Sequence, residues 1–154
     1  MRAMNLILEK TNQVPYFTNM QLVLSALGLT ASDFDWYVSD IETNYYGEEF
    51  SSEDRWMTGL ELQEFITSNE VQFIWAVFSA VPKGSRPAIQ NTPYVDGNPT
   101  FWNQSSVKPQ LEGALFEIAC WDSSATILVG IGTEAGERFK RAYPDTKLLS
   151  QART

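Results

Sequence analysis

Three sets of residues in this 154-residue chain have the types and spacing for chemistry. In TILVGIGTEAGERF, residues 126–139, an apolar run leads into Gly130-x-Gly132-x-x-x-Gly136 and on into a helix-like segment. Strand, glycine turn and helix is the order in which a dinucleotide site presents backbone N–H groups to a pyrophosphate. Asp40 and Glu42 are spaced i, i+2. On a strand that places two carboxylates on one face, an arrangement suited to a metal or to glycosidase-like acid–base work. Asp122-Ser123-Ser124 supplies hydroxyls that a general base would turn into nucleophiles.

The rest of the composition narrows these choices. The chain has no histidine and a single cysteine, Cys120. Ser-His-Asp, Cys-His and ordinary zinc sites are therefore closed to it, no internal disulfide can form, and catalysis would fall to carboxylates, Lys, Tyr or a cofactor. Neither Ser123 nor Ser124 has a lysine three residues on, so the Asp-Ser-Ser triplet reads as a hairpin turn whose side chains bond nearby backbone. Cys120 alternates with Ile118 and Phe116 and suits a small buried apolar position. The glycine motif lacks its context. The strand before it reads as half of a hairpin, and the residues after Gly136 leave no room for a second parallel strand. Glu134 and Glu137 suit the positive first turn of a helix capped by Thr133 and would repel a pyrophosphate. Gly130 and Gly132 are thus expected to release a strand into a helix, and no cofactor is expected.

These residues need elements to hold them. Residues 4–9 read as a strand. TNMQLVLSALGL reads as a helix with Thr18 as N-cap, Leu22, Leu24 and Leu27 as apolar positions, and Gly28 as a left-handed end. Residues 35–43 favour a strand through Trp36, Tyr37, Val38 and Ile41. A second helix is predicted over 58–67, with Leu60, Phe65 and Ile66 on one face. VQFIWAVFSAV, residues 71–81, is apolar enough for a central strand. Residues 83–110 hold four of the seven prolines and little period, and read as a long excursion with one short strand near Thr100–Trp102. ALFEIACW and ATILVGI form a hairpin, and a last helix over about 134–142 carries Phe139 before Pro144. Apolar residues make up 44% of the chain, enough for one packed core over 1–154. The element order predicts an α+β fold, a mainly antiparallel sheet with about three helices packed on one face.

Charge carries the clearest functional signal. The formal net charge is −8, which disfavours binding to nucleic acid and to anionic membrane surfaces. No apolar run nears the roughly 20 residues of a membrane span. MRAMNLILEK reaches Glu9 and Lys10 well short of the roughly 7–15 apolar residues of a secretory signal, so a cytoplasmic protein is expected. From Asp33 to Asp54 there are eight acids and no Lys or Arg, interleaved with Trp36, Tyr37, Tyr45, Tyr46 and Phe50. Such a stretch is either a solvated face whose aromatics turn inward or a protein-binding surface in which Tyr and Trp anchor and acids steer. Residues 137–154 reverse the sign, with five basic residues and two acids.

An acidic, Trp- and Tyr-rich chain of this size with no catalytic set and a late strand–turn–strand–helix stretch, FEIACWDSSATILVGIGTEAGERFKRAYP, resembles the small bacterial immunity proteins of interbacterial polymorphic or contact-dependent toxin systems. The resemblance implies a non-enzymatic binding protein that blocks the active domain of a cognate toxin, itself basic. Asp33, Asp35, Asp40, Glu42, Tyr45, Tyr46, Glu48, Glu49, Glu53 and Asp54 are then the expected partner-binding residues, with the 83–110 excursion as a second contact surface. The alternative is a small carboxylate-based or metal-dependent enzyme, or a ligand-binding protein, with its pocket under the excursion.

Overall fold

The computed structural model describes residues 3–14, 17–45, 47, 50–103 and 107–152. Its strands are β1 (Ala3–Glu9), β2 (Phe34–Thr43), β3 (Arg55–Thr58), β4 (Phe73–Pro82), β5 (Phe116–Trp121), β6 (Ala125–Gly132) and β7 (Lys147–Leu148). They form one sheet in the order β3-β2-β4-β5-β6-β1-β7, antiparallel at every pairing. The α+β class and the antiparallel sheet are as the sequence predicts. The predicted hairpin is β5–β6, and its turn holds Asp122 and Ser123 at φ 49° and 56°. The two edge strands were not expected. At four and two residues, β3 and β7 are too short to show a period of their own.

Three helices cover one face: α1 (Met20–Leu27), α2 (Gly59–Ser68) and α4 (Thr133–Ala142). A fourth, α3 (Thr100–Asn103), is a single turn inside the excursion, where the sequence predicted a short strand. Asn19, not Thr18, caps α1, its side chain accepting from the Leu22 N–H at 3.2 Å. Thr18 is committed elsewhere. It is buried at φ 66°, its hydroxyl donates to the Phe73 carbonyl, and its own carbonyl accepts from the Phe73 N–H at 3.2 Å. Gly28 ends α1 at φ 73°, as expected. In α2, Thr58 and Glu61 form a reciprocal capping box at 3.1 and 2.8 Å. Leu62, Phe65 and Ile66 are its core positions, and Leu60 is 59% exposed. Residues i, i+3 and i+4 share a helix face, and Leu60 lies nearly opposite Leu62.

β6 runs directly into α4, and Gly132, not Thr133, is the N-cap, with Thr133 as the first helical residue. Gly130 takes φ 73°. Gly136 sits where an added Cβ would lie 2.7 Å from the Met4 sulfur, so α4 approaches β1 closely there.

The helix face carries the larger core. Trp36, Phe73, Phe78 and Phe139 are fully buried there with Leu6, Leu8 and Leu62. Trp36 also donates its indole N–H to the Ala31 carbonyl at 3.0 Å. Cys120 is buried in the same layer beside Ile118 and Phe116, and burial pushes its thiol far above the ordinary range. The opposite face is closed by the excursion and by the short turn at Leu149–Gln151. Val95, Phe101, Leu111 and Leu149 pack onto Ile7, Val77, Val81, Ala119 and Ile127.

Candidate interaction surface

The acidic stretch divides according to what each carboxylate must do for the fold. β2 alternates, so Trp36 and Val38 face the helices while Asp35, Tyr37 and Ser39 face the excursion. Asp35 is 6% exposed. Its Oδ2 accepts from the Arg86 Nε at 3.1 Å and from the Gly84 N–H at 3.4 Å, tying the start of the excursion to the sheet. Asp40 occupies a bulge in β2 at φ 54°, between the register positions Ser39 and Glu42. Its Oδ2 accepts from the N–H groups of both Val95 and Asp96 at 2.9 Å, and its own N–H donates to Asp54 Oδ1 at 3.0 Å. Glu117 does the same from β5. Its oxygens take the N–H groups of Gln110 and Leu111 at 2.7 and 2.9 Å and the Ser79 hydroxyl at 2.7 Å. A proline-rich segment without ladder partners leaves backbone donors to be satisfied, and buried carboxylates satisfy them. Burial still raises the Glu117 carboxyl above the ordinary glutamate range, with the three donors pulling it partly back.

The described aromatics of that stretch turn inward as well. Tyr45 packs its ring edge-on to Phe65 at 5.0 Å, and Phe50 stacks on Phe65 at 4.6 Å. Tyr37 lies against Trp56 at 5.2 Å on the excursion side, and burial, then the nearby Asp54 charge, raise its phenol. Of the expected partner-binding residues, Asp33, Glu42, Glu53 and Asp54 are exposed. Asp33 precedes β2 and Glu42 lies near its far end, roughly 25–30 Å away along an extended strand. The structure thus gathers Asp40, Glu42, Glu53 and Asp54 at one end of the sheet and leaves Asp33 at the other. Tyr46, Glu48 and Glu49 lie outside the described residues. Within the expected second surface, residues 104–106 lie outside them too.

The acidic end holds aromatics that the sequence did not single out. Glu42 is the register partner of Trp75, and Trp75 and Trp121 are next in line beyond the Ala76–Cys120 pair. The Trp75 and Trp121 rings meet edge-on at 5.1 Å, and Trp102 of α3 meets Trp121 at 4.8 Å and 89°. All three are partly exposed. For the two on strands the one sequence signal is period: Trp75 alternates with Val77, and Trp121 with Ala119 and Glu117. That puts each on the face opposite the main core, but strand pairing alone brings them together.

Comparisons with protein-family models, with curated proteins and with solved structures find no match to this chain.

Two further features bear on alternatives. Among the described residues no three Asp, Glu or Cys side chains converge where a metal ion could sit, and no described helix is long and apolar enough to cross a membrane. On the helix face, an open groove of about 310 Å³ runs between the end of α1 and the first turns of α4. Leu27, Leu29, Phe116, Ile131 and Ala135 form its apolar lining, and the Glu134–Arg138 pair, 2.9 Å, stands at its side. The predicted glycine joint thus borders this groove, with Glu134 in the helix's first turn where a phosphate would need a positive field.

Proposed function

We propose that this is a non-enzymatic binding protein, an immunity protein that acts in the cytoplasm and neutralises a cognate bacterial toxin by covering its basic active domain. One observation carries the proposal: Glu42, Glu53 and Asp54 are exposed at a single end of the sheet, and none forms an ion pair with a described residue. Buried Asp35 and Glu117, by contrast, are consumed in holding the excursion. Exposed acids without an ion-pair partner at one end of a −8 protein speed encounter with a basic surface. Partly exposed tryptophans beside it supply the anchoring area that charge alone lacks. The test is co-expression with the product of the gene directly upstream. A complex on size-exclusion chromatography and loss of the neighbour's toxicity are expected; no complex and undiminished toxicity would end the proposal.

The groove between α1 and α4 favours a second reading, a protein that binds a small, mainly apolar ligand. A thermal-shift screen separates the two. A rise of several degrees with one compound, abolished by filling the groove with Ala135→Leu, supports a ligand site.

A further inference from the structure

Two tryptophans on the excursion face of the sheet stand beside a carboxylate, and they differ in one respect. At Trp56 the chain supplies its own cation. The Arg86 guanidinium lies 5.5 Å from the Trp56 ring centre while its Nε pairs with Asp35 at 3.1 Å. At Phe50 the chain does likewise, with Arg55 at 4.6 Å from the ring. At Trp75 the acid is Glu42, directly across the strand pair, and the aromatic surface is larger because Trp121 and Trp102 extend it. Yet no described Lys or Arg lies over any of these three rings or pairs with Glu42.

We propose that the row Glu42–Trp75–Trp121–Trp102 is the docking point for an arginine side chain of a basic protein partner. The proposal rests on the binding-protein reading and specifies its contact. Charge complementarity names the occupant, for exposed Glu42 and Asp122 flank the row and Glu53 and Asp54 lie at the same end of the sheet. The Asp35–Arg86–Trp56 group shows the chemistry in the same molecule, a guanidinium held at once by a carboxylate and an indole. Arginine fits better than lysine, because its planar, weakly hydrated guanidinium can lie on a ring and still direct N–H groups at an acid, whereas an ammonium stays solvated. Glu42 supplies the acceptor, Trp75 and Trp121 the surface, and Trp102 a wall from the excursion.

The indole N–H resonances of isotope-labelled protein give the test, with hexa-arginine and hexa-lysine peptides as probes. Hexa-arginine is expected to shift Trp75, Trp102 and Trp121 and to leave the core Trp36 in place. Hexa-lysine should bind about fivefold more weakly at this site, and Glu42→Gln should weaken hexa-arginine by about the same factor. Trp102→Leu, a change on the excursion rather than in the sheet, should weaken it too. Silent indoles at the three positions, or an affinity unchanged by Glu42→Gln, would overturn the proposal. If the indoles respond but the upstream gene product is neither bound nor neutralised, the arginine site stands and the toxin reading fails. If that complex forms while Glu42→Gln and Trp102→Leu leave its affinity untouched, the toxin reading stands and the arginine site fails.

Discussion

The two faces of the sheet are closed by different physics. On one, α1, α2 and α4 satisfy most of their own backbone hydrogen bonds and need only offer apolar side chains to Trp36, Phe73 and Phe78. On the other, an irregular, proline-rich segment satisfies only some of its own donors, such as the Asn98 and Trp102 N–H groups on the Val95 and Pro99 carbonyls. The sheet reaches out to it with carboxylate oxygens, from buried Asp35 and Glu117 and half-buried Asp40, and the buried Ser39 hydroxyl donates to the Pro93 carbonyl at 2.8 Å. A carboxylate's position in the acidic stretch therefore says little about its role. Asp40 and Glu42 are two residues apart, yet one anchors the excursion through two backbone N–H groups and the other faces solvent beside a tryptophan.

Substitutions break this comparison in order of size. Phe78→Ala, at a fully buried ring between Trp36 and Phe73, should cost about 3–5 kcal/mol in denaturant unfolding, the range for emptying an aromatic site. A loss below about 1 kcal/mol would mean that the helix face is not the dominant core.

Glu117→Gln comes next. An amide presents one acceptor and one NH₂ to the three donors around it, so about 1–3 kcal/mol should be lost. It should also change the pH response. Because burial raises this carboxyl, the native state keeps a proton that the unfolded chain has already released just above the ordinary glutamate range. The contribution of Glu117 to stability is then full at lower pH and falls as pH rises through the raised value. Unfolding curves of wild type and Glu117→Gln across the acidic range should differ by that falling slope. Parallel curves would show that the carboxyl is not shifted by folding.

Asp40→Ala should cost about 1–2 kcal/mol, since it removes the acceptor of two N–H groups and leaves a β-carbon with no local hydrogen bonding in a left-handed bulge. Asp40→Asn keeps an acceptor and a tolerated conformation, and should stay within about 0.5 kcal/mol of wild type. The smallest effect on stability belongs to Glu42→Gln, again within about 0.5 kcal/mol, because its side chain makes no described contact that holds the fold. If Glu42→Gln destabilised as much as Asp40→Ala, the division between anchoring and exposed acids would collapse.

Much of the architecture was legible in the chain. Aromatic and β-branched residues marked β2, the Asp122-Ser123-Ser124 turn between two apolar arms marked the β5–β6 hairpin, an apolar run marked β4, and residues 58–67 read as the helix that the structure has as α2. Other local features were overridden by long-range contacts. Thr18 is a good cap in isolation, but its hydroxyl serves the Phe73 carbonyl and Asn19 caps instead. The run near Thr100–Trp102 has strand-like aromatics, but it packs as a helical turn onto the back of a sheet whose strands are already paired. The candidate surface was legible only in part. Charge density singled out Glu42, Glu53 and Asp54, which the fold gathers at one end of the sheet, while Tyr45 and Phe50 belong to the core layer around Phe65.

By itself the sequence determined the class of fold, the chemistry closed to a chain without histidine, and the concentration of negative charge. Each depends on composition or on periods spanning a few residues, which a linear reading contains. Only the tertiary structure decided which acids are anchors and which stay exposed, and that Trp75, Trp102 and Trp121 meet beside Glu42. Those outcomes depend on strand order, register and the path of a long irregular segment. Residues 42, 75, 102 and 121 become neighbours through pairing across three strands and one loop, and no local pattern encodes that pairing.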